Sequence, residues 1–268
     1  MRHINSLGLA TLIALGTCAV LPGEAWASPP IQQLAPSGKL RAAINLGNPI
    51  LASRDATTGE LRGVSVDLAR ELAKRLGIPL ELVAYSAAGK VVEGVKTKDW
   101  DVAFVAIDPG RAVDMSYTAP YVVIEGAYMV PRDSPIKSNA EVDREGVRIV
   151  VGKGSAYDLY LAREIKKAQL VRAPTSPTVT DTMIAQGLEV AAGVKQQLEA
   201  DAKRIPGLRL LDGRFMVINQ AMAIPRGSDA AVRYLTDFVE DMKVSGFVAQ
   251  ALARHGVEGA SIAAPLVR

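Results

Sequence analysis

Val102-Ala-Phe-Val-Ala-Ile-Asp-Pro-Gly-Arg111 joins a buried strand to a candidate ligand residue. The first part of the segment is continuously apolar, which predicts a strand covered on both faces, as in a parallel sheet. Asp108-Pro-Gly then ends the strand, and Asp108 is expected to cap the turn. Open α/β sheets bind ligands outside the carboxyl ends of their strands, so Arg111 is predicted to lie in a ligand cleft.

Strands and helices alternate ahead of this segment. Residues 40–44 and 80–85 are predicted strands, and residues 91–95 belong to a predicted helix. Apolar residues that recur every four positions mark the face of another helix, namely Val64, Leu68, Leu72 and Leu76. This β-α-β-α-β series predicts an open, mainly parallel sheet flanked by helices.

A second, similar series follows. Strands are predicted at residues 147–151, 170–172 and 190–194, with helices at 156–167 and 180–186. A final strand and a final helix follow, and they are expected to return to the first lobe because they have no sheet of their own to cover. The apolar face of that helix consists of Val232, Leu235, Val239 and Met242. The sequence therefore predicts one lobe from residues 28–128 and 222–268 and another from 129–221. Two extended crossings near 128–132 and 219–224 would form a hinge.

Two motifs together resemble a known family. The frame Ala106 to Arg111, followed by Tyr117-Thr-Ala-Pro-Tyr121, resembles the amino-acid-type solute-binding proteins of bacterial ABC transporters, family 3. The resemblance covers nearly all of residues 38–257. It implies a type II periplasmic-binding-protein fold and capture of a small carboxylate-bearing solute by closure of two lobes. It also implies an ABC permease in the inner membrane as partner, no cofactor and no catalysis.

The candidate site residues come from both lobes. Arg111, with Ala106 beside it, could bind a carboxylate through two parallel hydrogen bonds, although an arginine after a turn can also be a solvated surface residue. Gly154 and Ser155 precede a predicted helix, whose free N–H groups would favour an anion unless they form an ordinary cap. In the resembled family this segment closes on the same carboxylate. Here Ala156 stands where the family has a hydroxyl residue.

Four further positions could contribute to the site. Asn45 ends the first strand and either lines the cleft or forms a turn. Val194 stands where amino-acid binders of the resembled family have an aspartate that pairs with the ligand's ammonium group, which favours a ligand without a tightly held ammonium. Lys195 either points into the cleft toward a second carboxylate or faces water. Glu125 either supplies a substitute anion or bonds to backbone.

The amino-terminal segment resembles a secretory signal. Arg2 and His3 precede an apolar stretch of about 15 residues, shorter than the roughly 20 of a spanning helix, and Ala25-x-Ala27 suits signal peptidase. Residues 1–27 are therefore predicted to be removed and the protein to reside in the periplasm. Cleavage would remove Cys18, the sole cysteine. A net charge of +3 from 31 basic and 28 acidic residues argues against nucleic acid as a partner. We expect a monomer.

The amino-acid sequence offers little support for an enzymatic function. Beyond the predicted leader the chain has one histidine, His255, in a predicted carboxyl-terminal helix that ends at Gly256, where a cation complements the helix dipole. A Ser-His-Asp set would need that histidine, and no cluster of histidine, cysteine and carboxylate residues in the sequence offers a metal site. The alternative function is an exported cyclohexadienyl or arogenate dehydratase, a class that resembles solute-binding proteins throughout. Those enzymes use a glutamate where this chain has Gln197, and a glutamine cannot act as a general acid.

Overall fold

The computed structural model describes residues 30–266, which form two α/β lobes on one sheet of ten strands. The predicted signal peptide and Cys18 lie outside the described residues. Within residues 30–266, no helix combines the length and the apolar character that crossing a lipid bilayer requires.

The first lobe contains the amino-terminal part of the sheet. In chain order its elements are α1 (Ile31–Leu34), β1 (Leu40–Asn45), β2 (Ser53–Arg54), β3 (Leu61–Arg62), α2 (Val64–Leu76), β4 (Leu80–Tyr85), α3 (Ala88–Thr97) and β5 (Val102–Ala106). β1 lies between β4 and β5 and is parallel to both, as the alternation of strands and helices predicted. Every residue of β5 is buried, which confirms a strand covered on both faces.

α2 packs against this sheet through the face that the sequence indicated. Val64, Leu68, Leu72 and Leu76 are all buried. The helix ends at Gly77, whose φ of 65° is a left-handed conformation that glycine adopts without steric cost. Burial of such an apolar face, at roughly 25 cal/mol per Å² of apolar surface, stabilises the helix on the sheet.

The second lobe repeats the same arrangement. β6 (Met115–Pro131) leads into it, and its elements are β7 (Arg148–Gly152), α4 (Ala156–Glu164), β8 (Gln169–Ala173), α5 (Val179–Ala185), β9 (Val190–Val194), α6 (Lys195–Arg204) and β10 (Leu208–Leu210). β7 lies between β8 and β9 and is parallel to both. α4 ends earlier than the predicted residue 167, because Ile165 adopts an extended backbone conformation.

Two antiparallel strands join the lobes. β11 (Met216–Pro225) runs back along β6, so the strand order is β4-β1-β5-β11-β6-β9-β7-β8. β6 already pairs with β9 at Gly126, and β11 already pairs with β5 at Gln220. β6 therefore changes its pairing partner two residues before the predicted 128–132, and β11 changes its partner inside the predicted 219–224. The sequence shows no break there because each strand continues unbroken while its pairing partner changes.

The carboxyl-terminal elements pack on the joining strands and on α2. α7 (Asp229–Val244) packs on β6 and β11, α8 (Phe247–Arg254) packs on α2, and β12 (Ser261–Ile262) pairs with β6. Leu235, Val239 and Met242 are buried, and Val232 is partly buried against the same core. The return of this helix to the first lobe stays a prediction, which the packing of α8 on α2 supports. The exact lobe boundaries stay a prediction, because both fall inside the two joining strands.

Candidate ligand-binding site

A tight turn directly after β5 positions Arg111. Asp108 accepts the Gly110 N–H through Oδ1 at 2.8 Å, and its carbonyl accepts the Arg111 N–H at 3.1 Å. A short 3-10 helix, Arg111–Val113, begins there. Asp108 therefore caps the turn, as its place in the sequence predicted, and the turn sends the arginine side chain toward the gap between the lobes.

The Arg111 guanidinium is buried between the two lobes. Nη1 donates to the Ala106 carbonyl at 2.9 Å, and Nη2 donates to the Gly154 carbonyl of the opposite lobe at 2.8 Å. Nε has no hydrogen-bond partner, although the residue is only 3% exposed. We call the space around this guanidinium the interlobe cleft.

The charge of Arg111 has no anionic partner within residues 30–266. Burial lowers the pKa of the guanidinium from its ordinary value, and the charges of Tyr117 and Asp108 oppose that effect. The Asp108 carboxylate, however, forms its ion pair with Arg163 of α4, at 2.9 Å. An ionised group buried without a counter-ion is costly, so this arrangement suits an anion that enters from outside the protein.

The start of α4 forms the opposite wall of the interlobe cleft. Ser155 caps the helix by accepting the Asp158 N–H at 3.0 Å. The Gly154 N–H donates to the Asp158 carboxylate at 2.8 Å, while the Gly154 carbonyl faces Arg111. Within the described chain, the N–H groups of Ala156 and Tyr157 meet no acceptor. The amides open to an anion thus lie at Ala156 and Tyr157, after the predicted Gly154-Ser155 pair.

Two glycines allow the lobes to approach closely. Gly154 has a φ of 70°, and a Cβ built on it would lie 2.9 Å from the Cα of Gly89 in α3 of the other lobe. Real Cβ atoms do not approach that closely, so a side chain at residue 154 would push the lobes apart.

The cleft contains most of the predicted site residues. Its lining includes Asn45, Ala106, Arg111, Ser155, Ala156 and Val194. The cavity is small, about 30 Å³, and a single water needs roughly 10–15 Å³ on such a measure. The two walls are therefore close together in this conformation.

Asn45 performs both of the roles that its position left open. Its Oδ1 accepts the Gly47 N–H at 3.0 Å, which forms a turn, and the residue also lines the cleft.

Lys195 is held outside the cleft. Its Nζ lies 3.4 Å from Glu125 Oε2, and the lysine is not among the residues that line the cavity. The hydrogen bond from Arg214 lowers the pKa of Glu125, so this carboxylate stays ionised between two cations. In this conformation Lys195 and Glu125 satisfy each other on the joining strand, and neither offers a charge to the cleft.

Seven of the lining residues were not predicted, and three of these carry polar groups on buried residues. Asn48 is 7% exposed and its Oδ1 has no partner. Tyr157 is buried near the hydroxyls of Ser155 and Ser176, yet its Oη makes no hydrogen bond of full geometry. Gln220 lines the cleft from β11. A polar residue inside an apolar strand could have drawn attention to Gln220, whereas the roles of Asn48 and Tyr157 depend on the folded loops.

Titratable clusters elsewhere do not form a metal site. No group of three or more histidine, cysteine or carboxylate residues in residues 30–266 could hold a metal ion. His255 Nε2 lies 2.8 Å from Asp67 Oδ2, which also accepts from Arg254. This cluster joins α8 to α2, away from the interlobe cleft.

Comparison with known families matches most of the chain. Residues 40–258 match the model of the bacterial extracellular solute-binding proteins, family 3. The match includes all the lining residues of the interlobe cleft and both joining strands.

Solved structures share the two-lobed fold. A putative binding component of an ABC transporter from Wolinella succinogenes DSM 1740, complexed with lysine, is 22% identical with a TM-score of 0.71, covering 81% of this chain and 95% of that one. A solute receptor for L-cysteine from Neisseria gonorrhoeae is 22% identical with a TM-score of 0.73, covering 83% and 91%. An ancestral amino-acid-binding protein, a precursor of cyclohexadienyl dehydratase, is 19% identical with a TM-score of 0.71, covering 84% and 98%. At these identities the likeness supports the fold.

Proposed function

We propose that this chain, which belongs to the bacterial extracellular solute-binding proteins of family 3, is the periplasmic substrate-binding component of an ABC importer. It captures a small carboxylate-bearing solute between its two lobes. The observation that carries the proposal is Arg111, a buried guanidinium in the interlobe cleft with an unpartnered Nε and no ion-pair partner among the described residues.

Closure of the lobes follows from where the donors lie. Arg111 belongs to the first lobe, and the free N–H groups of Ala156 and Tyr157 belong to the second. The positive end of the α4 dipole adds to the attraction for an anion. A carboxylate that bonds both sets holds the lobes together, so it binds the closed form better than any open form and shifts the population toward closure.

The compared proteins support a role in transport. The Wolinella succinogenes protein is described as a binding component of an ABC transporter, and the Neisseria gonorrhoeae protein as a solute receptor. By analogy, the closed form of this chain would present both lobes to an ABC permease in the inner membrane. Residues 1–27 would direct export to the periplasm, where the mature chain would act as a monomer.

A ligand screen tests the proposal. Amino acids, hydroxy acids, keto acids and dicarboxylates would be ranked by the rise in melting temperature, since a ligand that binds the folded state stabilises it by mass action. We expect at least one carboxylate to stabilise the wild-type protein and to lose that effect in Arg111→Ala. If no carboxylate stabilises the protein, or if the effect survives in Arg111→Ala, the proposed site is wrong.

The proposal is capture without turnover. The ancestral precursor of a cyclohexadienyl dehydratase shares the fold, so dehydratase activity is the alternative function to test. Gln197 lies in α6 and does not line the interlobe cleft. Incubation with prephenate and with arogenate separates the two functions: we expect no product, and measurable turnover would contradict the binding role.

A further inference from the structure

We propose that the part of the ligand beyond its carboxylate is uncharged, so that the interlobe cleft takes a hydroxy acid in preference to an amino acid with a free ammonium group. This inference rests on the proposed function and adds the chemical class of the solute. It follows from the charges and the unpartnered polar atoms that the cleft presents.

The described residues that line the cleft include one cation and no anion. Of the thirteen residues in the described chain that line it, Arg111 alone is charged. The carboxylates of Asp108, Asp158 and Glu125, which contact the turn after β5, the start of α4 and Lys195, are each already paired. Asp108 binds Arg163, Asp158 binds Arg172 at 3.0 Å, and Glu125 binds Lys195 and Arg214.

These pairings decide what charge the cleft can accept. One carboxylate on the ligand neutralises Arg111. A ligand that also carried an ammonium group would bring a second cation into a site of low dielectric, where no lining side chain is an anion. Desolvation of that ammonium would then be offset only by neutral acceptors, and burial of an uncompensated charge is strongly unfavourable.

The remaining polar atoms suit a hydroxyl group. Asn48 Oδ1 is a buried acceptor without a partner, and Tyr157 Oη is a buried hydroxyl without a full hydrogen bond. Gln220, whose side chain is a neutral amide, lines the same space. Buried polar atoms are almost always hydrogen-bonded in folded proteins, so a ligand that both donates and accepts satisfies this set. A hydroxyl does so without adding charge.

Matched ligand pairs test the inference on the unmodified mature protein. Each pair differs only in a hydroxyl or an ammonium group: glycolate and glycine, L-lactate and L-alanine, L-2-hydroxyisovalerate and L-valine. Calorimetry at pH 7 should show the hydroxy acid of the best-fitting pair binding about tenfold tighter or more, because the enclosed ammonium lacks an anionic partner. Tighter binding of the amino acids would overturn this inference and leave the proposed function intact. Binding of neither class would contradict both.

A charge placed in the wall gives a second test. Val194 lines the cleft from the end of β9. Val194→Asp should shift the preference toward the amino acid of each pair by about tenfold or more, since the new carboxylate supplies the missing counter-ion. Val194→Asn has nearly the same shape as the aspartate variant without the charge and should shift the ratio within each pair less than Val194→Asp does. Equal ratios in the two variants would overturn the inference. If Val194→Asp does not fold, the wild-type comparison still decides.

Discussion

β5 and β9 belong to opposite lobes and end at the same cleft. The cations that follow them differ in whether they have an anionic partner. Both strands are fully buried and continuously apolar. Arg111 follows β5 and is buried without a carboxylate, whereas Lys195 follows β9 and pairs with Glu125 at the edge of the joining strand. The corresponding strands of the two lobes are therefore followed by cations in different surroundings. The cation that lacks an anionic partner among residues 30–266 is the one that we propose binds the ligand.

The largest expected effect is a loss of ligand affinity when the unpaired cation, Arg111, is removed. Arg111→Ala should weaken binding of the carboxylate by about 2–4 kcal/mol, because a buried anion would lose its charged partner. Lys195→Ala is the matched control and should change affinity by less than about 0.5 kcal/mol, since its charge is directed to Glu125. Calorimetry on both variants checks the difference. Equal losses would mean that both strand ends bind the ligand.

A second prediction concerns closure of the lobes. Gly154→Ala should weaken binding by about tenfold, because its methyl group would meet Gly89 and hold the walls apart. Gly146→Ala is the control: Gly146 also has a positive φ, of 81°, but its Cβ would meet nothing within 4 Å. Both alanines should cost about 1–2 kcal/mol of stability through backbone strain. Only Gly154→Ala should lose affinity, and unchanged affinity there would show that closure does not need this contact.

A third prediction concerns the ion pair between the lobes. Arg163→Ala removes the partner of Asp108 and should weaken ligand binding by about 0.2–1 kcal/mol, with a smaller loss at high salt, because the arginine is half-exposed. Arg148→Ala provides the control, since its partner Glu189 lies in the same lobe. That variant should lose some stability and no affinity. If Arg163→Ala binds the ligand as tightly as the wild type at low salt, the Arg163–Asp108 ion pair does not contribute to closure of the lobes.

The smallest effect is a dependence on pH at Glu125. Its pKa is lowered in the folded protein, so the ionised carboxylate stabilises the fold at neutral pH and loses that contribution as the pH falls through the lowered pKa. Glu125→Gln should reduce the free energy of unfolding at pH 7 by about 0.5 kcal/mol or less. The difference should vanish once the pH is low enough to protonate Glu125. Denaturant unfolding across pH checks this, with Glu199→Gln, at an exposed residue of α6, as a control for the loss of one charge.

The sequence predicted what depends on local pattern. Continuous apolar runs identified β5 and β9, and the four-residue spacing of α2 identified its buried face. The strand-turn-arginine order, together with the family resemblance of the frame that continues through Tyr117–Tyr121, predicted that Arg111 lies in the cleft. Such features follow from the period of a strand or helix and from the chemistry of a turn.

Features that depend on distant residues escaped prediction. Lys195 pairs with Glu125, 70 positions earlier in the chain, and so does not point into the cleft. The Gly154 amide is taken by Asp158, which moves the free N–H groups to Ala156 and Tyr157. Asn48 becomes a cleft residue only when its loop folds. No local pattern encodes which of two partners a side chain or amide will choose in the folded protein.

The position of the ligand carboxylate tests the central claim most directly. A crystal structure with the tightest-binding acid from the screen should place that carboxylate within hydrogen-bond distance of Arg111 Nε and of the Ala156 and Tyr157 N–H groups. A carboxylate bound elsewhere, with Arg111 still bonded only to the carbonyls of Ala106 and Gly154, would contradict it.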